Sequence, residues 1–597
     1  MTEQNSRENI PGSTEMASSL RNDTPSDSYS NAGSLDSDEE VVNNENDTQQ
    51  YTAVPITGTL SRRILTRTST IVDGIRDDNN YASHRESMVV PPAPFGSTNP
   101  EEDHLSRKLS LGGTKKEHLT KEDTDALDSY DGEFNKQDMI DRPPDGTFWG
   151  WLSAVCVCFI NTFSWGTNSS FGVFLNYYLK TNHFKGATME DFALIGGLNL
   201  GLSFMLCNIA NSLVRRFYYK SVMVVGIVLL VICYLCAAEA KTILQLIMLQ
   251  GLLLSIAYAF AAGPCFVIIP TWFLKRRSIA NGIATSGAGL AGIVFSRPTQ
   301  ALINKTGSYK WALRMIGIVC GVMLSISTML IRCRRSLIVK ADKPFWKELL
   351  GNFTRWDVYR QKPVLCLVSW NFLYGISYTI LLFSMSSYAT DIGLTYEQGS
   401  MVTTVQSIAQ FIGRPLLGVV SDYFGKVNVT IIITVLLGVL SMVYWIFVHS
   451  YASLIVFAFI SGIMVGVNWV NFTPLCADVV GGGDDLLAAV SFLCLIGGPP
   501  MIVAEIIGLK LRRDGSSKPF LYCQILVGVA ALVSAAFLMI FREWKIYRML
   551  DARRTLIQKK LEDKRDVDDI ARLSRYDFLL RKSVISYFTR MFYPIKA

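Results

Sequence analysis

Between about residue 149 and residue 541 the chain carries twelve apolar runs, each long enough to cross a bilayer. About 18 or more apolar residues reach across a hydrocarbon core of roughly 30 Å. Lipid offers no partner to an unpaired amide, so the backbone of such a run is helical. The predicted spans are roughly 149–177, 191–213, 221–238, 243–269, 278–300, 311–332, 363–388, 399–421, 429–448, 452–475, 486–509 and 520–541. Half of the 597 residues are hydrophobic, and the charged ones crowd into two tails and one central loop. This is the composition of a polytopic membrane protein with soluble ends.

Five segments follow from the pattern: a tail over 1–140, six helices over 141–333, a basic loop over 334–362, six helices over 363–541, and a basic tail over 542–597. The first tail is rich in Ser, Asn, Asp, Glu and Thr and poor in aromatics. It lacks the apolar surface to offset its ordering entropy, which predicts disorder. No signal peptide is expected, because no basic start is followed by an apolar core. Arg62-Arg63-Ile64-Leu65-Thr66-Arg67-Thr68-Ser69-Thr70 and Arg107-Lys108-Leu109-Ser110 read equally as phosphorylation sites for cytosolic kinases or as solvated charge clusters. In the second tail, Leu573 to Tyr593 mixes Arg and Lys with Phe, Leu, Ile and Tyr. It suits an amphipathic helix lying on the lipid bilayer or a solvent-exposed helix.

Loop charge sets the expected orientation. With both termini in the cytosol, the inner loops hold Arg215, Arg216, Lys220, Lys275, Arg276, Arg277, the basic central loop and Lys426. They outweigh the outer loops, although the last of those, with Lys510, Arg512, Arg513 and Lys518, runs against the rule. No basic stripe is interleaved with exposed aromatics, so nucleic acid is not an expected partner. The twelve cysteines lie in or at the edges of apolar runs, and no structural disulfide is expected. Cys233 and Cys236 form a lone C-x-x-C with no second pair or histidine, so neither metal nor other cofactor is expected. No nucleophile–base pair or phosphate loop suggests an enzyme.

Trp272-Phe273-Leu274-Lys275-Arg276-Arg277 leads into a ladder of small residues, Gly282, Ala284, Ser286, Gly287, Ala288, Gly289, Ala291 and Gly292. Before the first helix stands Asp145-Gly146-Thr147-Phe148-Trp149-Gly150-Trp151. Trp311-Ala312-Leu313-Arg314 opens helix 6, Arg414-Pro415 lies in helix 8 and Gly498-Pro499-Pro500 in helix 11. Together these strings resemble the signatures of the monocarboxylate porter family of the major facilitator superfamily, in its fungal form. The likeness covers about 400 residues and spares both tails. It implies an all-α membrane fold of twelve helices in two six-helix bundles, a central solute site, and transport by alternating access.

The resemblance also assigns roles. Gly418-x-x-x-Asp422-x-x-Gly425-Lys426 is similar to the inner-loop motif of the superfamily, whose counterpart after helix 2 is eroded, with Ser212 where an aspartate is expected. Asp422 is therefore expected to reach across the bundles to Lys275, Arg276, Arg277 and the helix start beside them, latching the cytosolic side. Family members use the helix 8 arginine, here Arg414, for an anionic substrate. Those that carry simple carboxylates pair it with an aspartate one turn earlier, here Gln410, and carry a helix 1 lysine, here Ser169. Both departures weaken a lactate–proton symport reading and favour a larger solute such as riboflavin.

The residues themselves supply a site. Ionisable groups inside a membrane are costly and mark function. Gln406, Gln410 and Arg414 fall on one face at i, i+4 and i+8. Asn161, Trp165 and Asn168 stripe helix 1; Asn371, Tyr374 and Tyr378 stripe helix 7; Asn468 and Asn471 lie on helix 10. Amides and rings suit a planar, hydrogen-bonding solute, and equally interhelical hydrogen bonds or core packing; Arg414 suits a substrate or gating role, or that of a structural cation bonded to helix carbonyls. Glu505 on helix 11 is the remaining proton-coupling residue. The expected activity is secondary transport of a small organic solute, a monocarboxylate or a planar polar molecule, with symport of a proton. The alternative is a solute sensor that uses the fold without transporting. The plasma membrane ranks first and the vacuolar membrane second.

Overall fold

The computed structural model describes residues 145–334, 355–513, 518–563 and 567–595, apart from 182 and 185. The tail over 1–140, its two hydroxyl clusters, and most of the central loop lie outside the described residues.

Among the described residues the chain is all helical. The first half holds α1 (Phe148–Leu175), α2 (Met189–Arg216), α3 (Tyr219–Ala237), α4 (Ile243–Thr271), α5 (Arg277–Thr306) and α6 (Tyr309–Leu330). A one-turn helix, Trp356–Tyr359, precedes the second half. That half holds α7 (Lys362–Asp391), α8 (Tyr396–Phe424), α9 (Lys426–Phe447), α10 (Tyr451–Val480), α11 (Gly483–Lys510) and α12 (Leu521–Asp563). Two more helices close the chain, α13 (Val567–Leu580) and α14 (Val584–Phe592). All of the twelve long helices except α8 are apolar enough to cross a membrane by composition. α8 is as long as its neighbours, and its glutamines, Arg414 and Asp422 lower its hydropathy. Of these, Gln406, Gln410 and Arg414 are the ones the sequence places in the interior, and Asp422 is the one it places at the inner surface.

Local chemistry sets the helix starts. Thr188 with Asp191, Thr242 with Gln245, and Thr395 with Gln398 form reciprocal caps that satisfy free amides at the heads of α2, α4 and α8. Three long helices also depart from α geometry. A 3₁₀ stretch, Trp165–Ser170, interrupts α1. Wide π turns occur in α2 at Leu198–Leu202 and in α4 at Ile247–Leu253. Such turns re-aim side chains and free main-chain groups.

Apolar side chains gather into two cores. One draws on α1 to α6, from Cys156 to Ile331. The other is built mainly on α7 to α14, from Val358 to Ile595, and takes in Leu200, Phe204, Cys207 and Ala259 from the first half. Between these bundles the helices meet through missing side chains. α5 and α8 form the most extensive helix pair among the described residues. A Cβ on Gly282 would lie 2.5 Å from the Arg414 carbonyl oxygen, and one on Gly289 would lie 2.5 Å from Phe411 N. Gly418 answers from α8, where a Cβ would stand 2.6 Å from Ser278 O. α2 and α11 repeat the device with Gly201 against Gly498. Lipid tails are as apolar as leucine, so close backbone contact rather than hydrophobic burial holds such helices together.

This packing predicts a steric test. Gly289→Val should cost about 1–3 kcal/mol through overpacking and lower the midpoint of thermal unfolding in detergent. Gly172→Ala, where an added Cβ meets nothing within 4 Å, should leave the midpoint in place.

Candidate functional site

Arg414 lies at the α5–α8 contact, and it is 2% exposed. One Nη donates across the bundle boundary to the main-chain carbonyl of Thr285 on α5. The other donates to Gln410 Oε1 at 2.7 Å. Its Nε has no hydrogen-bond partner among the described residues. Gly466 on α10 makes room for the stem, since a Cβ there would sit 2.6 Å from Arg414 Cγ. Tyr378, Tyr374 and Cys158 surround the guanidinium, and no carboxylate does among the described residues. A cation taken out of water costs several kcal/mol unless an anion and good hydrogen bonds compensate. Here only neutral oxygens compensate, so the site is short of one negative charge.

Beside it, six aromatic rings join the bundles. Trp165 of α1 lies 5.6 Å from Phe266 of α4 between ring centres. Phe266 meets Phe472 of α10 at 5.9 Å and Phe204 of α2 at 6.1 Å. Phe204 meets Trp469 of α10 edge-on at 5.2 Å, and Trp469 meets Tyr378 of α7 at 5.4 Å. Trp469 Nε1 and Asn468 Oδ1 are buried without partners among the described residues. The Tyr378 ring joins this cluster to the guanidinium of Arg414.

The remaining side chains singled out in the sequence separate into two groups. Gln410 and Tyr378 share the centre with Arg414, and Trp165 belongs to the ring cluster. The rest hold helices together. Gln406 donates to Leu381 O on α7 at 3.1 Å and Asn161 to Ala284 O on α5 at 2.7 Å. Asn168 donates to Asn199 on α2 at 3.1 Å. Asn371 donates to Leu493 O on α11 at 3.0 Å and accepts from Asn468 at 3.2 Å. Tyr374 donates to Val465 O at 3.1 Å. Asn471 donates to Ser421 at 2.9 Å and Thr430 at 2.8 Å. Along α1 the 3₁₀ stretch turns successive residues further than an α-helix does, so Asn161 meets α5 while Trp165 and Asn168 meet α2. Glu505 is 4% exposed, inside the second bundle rather than at the ring cluster. The Ser384 hydroxyl donates to it at 3.0 Å.

A second polar centre lies where α5 begins and α8 ends. Asp422 accepts from Ser278 N at 3.2 Å and from Ile279 N at 2.9 Å. A carboxylate on α8 thus caps the first turn of α5 in the other bundle, where the helix dipole favours an anion. Asp145 does the same for the turn just before, accepting from Leu274 N at 2.7 Å, Lys275 N at 2.9 Å and Arg276 N at 3.3 Å. Its φ of +34° is rare outside glycine and is tolerated by Asp. The carboxylates bind main-chain amides, whereas Lys275 and Arg276 point outward and Arg277 donates from Nε to Phe273 O at 2.8 Å. Asn281 adds two cross-bundle bonds, to Trp469 O at 2.8 Å and Val470 O at 2.9 Å. Asp478 of α10 binds Lys426 at 2.9 Å and Lys545 at 2.7 Å. Where the motif after helix 2 is eroded, the polarity is reversed: Arg215 of α2 pairs with Asp484 in the first turn of α11 at 2.6 Å.

Reasoning from sequence passed over Asp145, Asn281, Asp478 and the rings other than Trp165 and Tyr378. Asp145 opens a quoted signature, and that was its available signal. Asn281 stands in a ladder of small residues, where it reads as packing. A separate cavity inside the first bundle, lined by Thr167, Asn168, Asn199, Tyr234 and Gln250, is walled by that bundle alone. Relative motion of the two halves would not open it to both faces.

Comparison with known proteins gives a consistent result. The family model described as Major Facilitator Superfamily matches residues 154–370 and 367–545. The chain is 33% identical over 477 residues to the uncharacterized transporter ESBP6 of Saccharomyces cerevisiae, covering 77% of this chain and 70% of that one. It is 30% identical over 388 residues to the probable transporter MCH2 of the same organism, covering 65% and 80%. Among solved structures, FucP, a Major Facilitator Superfamily transporter in its outward conformation, matches with a TM-score of 0.48 and 15% identity over 65% of this chain and 98% of that one.

The capping geometry predicts a local measurement. Asp422→Ala removes a cap worth about 0.5–2 kcal/mol. Hydrogen exchange at the Ser278 and Ile279 amides should quicken by roughly 2- to 30-fold, while the Asp145-bound amides at 274–276 stay protected.

Proposed function

The chain belongs to the Major Facilitator Superfamily, and on that premise we propose that it is a secondary transporter of the monocarboxylate-porter type for an organic anion with a planar, polar body. Its relatives are transporters rather than enzymes. The observation that carries the substrate reading is Arg414, a guanidinium buried between the bundles with no carboxylate beside it among the described residues. An incoming anion supplies the missing charge, and the spare Nε supplies a donor. Gln410, in the position where a coupling aspartate would stand, keeps a neutral oxygen on the arginine. The anion then meets no competing carboxylate.

The ring cluster sets the shape of the solute. Trp165, Phe204, Phe266, Tyr378, Trp469 and Phe472 come from five helices of both bundles, so a solute among them touches both halves. Binding energy distributed in that way couples occupancy to the relative position of the bundles, which alternating access requires. On the face of the termini, which we take as cytosolic from the loop charges, Asp422, Asn281 and the Arg215–Asp484 pair latch the halves. Release of the solute to that side breaks these bonds together. Glu505 is the residue to which we assign the coupling proton. It is buried, has the Ser384 hydroxyl as donor, and lies beside Cys523 of α12.

Reconstitution into vesicles tests the reading. A metabolite-wide uptake screen should identify a planar organic anion. Arg414→Ala should lower its uptake about 30-fold or more, the equivalent of roughly 2 kcal/mol or beyond. Equal uptake by the two proteins would remove the arginine from the site. Solute binding without flux would favour the sensor. Glu505→Gln should keep solute binding and flatten the pH dependence of uptake. An unchanged pH profile would take the coupling role away from Glu505.

A further inference from the structure

The last helix is amphipathic the wrong way round for water. On α14, Ser586 and Arg590 are buried at 2% and 6% exposure, while Val584, Ile585, Phe588 and Phe592 are 72%, 71%, 54% and 67% exposed. A surface helix facing water buries its apolar stripe and solvates its cation. This one does the reverse, and its polar face is firmly held. Arg590 pairs with Glu543 of α12 at 2.6 Å. It also donates to the main-chain carbonyl of Leu579, and its guanidinium lies 5.1 Å from the Tyr547 ring centre. Arg542 donates to Met591 O at 2.5 Å, Tyr593 O at 2.7 Å and Asn428 Oδ1 at 2.7 Å. Asn428, in the first turn of α9, donates in turn to Ile595 O at 2.9 Å. The outward face is therefore imposed by the bonds behind it.

Position names the medium that this face meets. Asn428 lies in the first turn of α9, and Arg542 directly follows the apolar stretch of α12 that runs to Phe541. Ile540, exposed on α12, precedes Arg542 by two residues, and Ile432, exposed on α9, follows Asn428 by one turn. Tyr423 and Phe424, also exposed, end α8 close by in sequence. The apolar face of α14 thus continues the lipid-facing belt where the belt ends. Arg581 and Lys582, both exposed, stand just before the helix. Cations flanking an apolar helix face suit an anionic leaflet surface. A second copy docking there would bring like charges to one small patch.

We propose that Val584, Ile585, Phe588 and Phe592 form a membrane-contact face, so that α14 rests in the leaflet on the side of the termini with Arg581 and Lys582 among anionic headgroups. The tail then ties the first turn of α9 and the middle of α12, close to the Asp478 charge cluster, to the bilayer surface. The test uses the full chain in vesicles of mixed neutral and anionic phospholipid, with Phe588 or Phe592 replaced in turn by an environment-sensitive fluorescent residue. Nitroxide-bearing lipid should quench either probe several-fold more strongly than aqueous iodide does. Quenching by iodide with none by lipid would overturn the proposal. So would energy transfer between labelled copies that vanishes on dilution with unlabelled protein, because a second copy would then occupy the face. As an independent variant, Phe588→Ser with Phe592→Ser should raise protease cleavage after Arg581 and Lys582 several-fold in vesicles. Unchanged cleavage would overturn the proposal.

Discussion

The close contact of α5 with α8 is what the rest of the molecule depends on. Glycines at 282, 289 and 418 remove the side chains that would keep the two backbones apart. Once the backbones touch, the carbonyl of Thr285 comes within reach of Arg414, and the amides of Ser278 and Ile279 within reach of Asp422. Asn281 reaches α10 from the same face of α5. In lipid no water competes for these groups, so short polar contacts between small residues decide which arrangement of the two halves is held. The same closeness makes the contact sensitive to a single methyl group.

The polar interactions on this interface serve two different purposes. At the termini face, carboxylates meet main-chain amides and cations meet carboxylates, so charge is balanced and the contact can be a stable resting state. At the centre, Arg414 meets the Thr285 carbonyl, the Gln410 amide oxygen and the Tyr378 hydroxyl, all neutral. In the proposed cycle the solute completes the central site and its passage opens the contact at the other. Buried charge left short of a partner is poor for stability and useful for binding, because the free energy recovered on pairing is available to the ligand.

Much of this was legible before the fold. The length of the apolar runs gave the helices, the basic central loop divided them six and six, and the family resemblance implied two bundles. Spacing at i and i+4 put Gln410 and Arg414 on one face, and they bond as that spacing implies. Gln406, one further turn away, bonds to α7 instead, because a straight face on α8 is shared between two neighbouring helices. The helix 1 stripe divided for a different reason: the chain leaves α geometry at Trp165, and no period read from sequence includes that break. The ring cluster was hard to see because Phe204, Phe266, Trp469 and Phe472 come from three helices far apart in the chain. Each alone looks like an ordinary apolar residue.

The sequence by itself determined that this chain crosses a membrane as helices, which helices carry polar groups inside, and which short strings lie at their ends. Those are local properties, set by hydrophobic length and by chemistry within a turn or two. Only the tertiary structure decided what the polar groups meet. It gave Arg414 no carboxylate among the described residues, gave Asp422 two amides from the other bundle, and turned the apolar side of the last helix outward. Each of these depends on which backbone lies within about 3 Å of a side chain. That distance is fixed by how closely glycine lets two helices approach, and hydropathy along the chain does not record it.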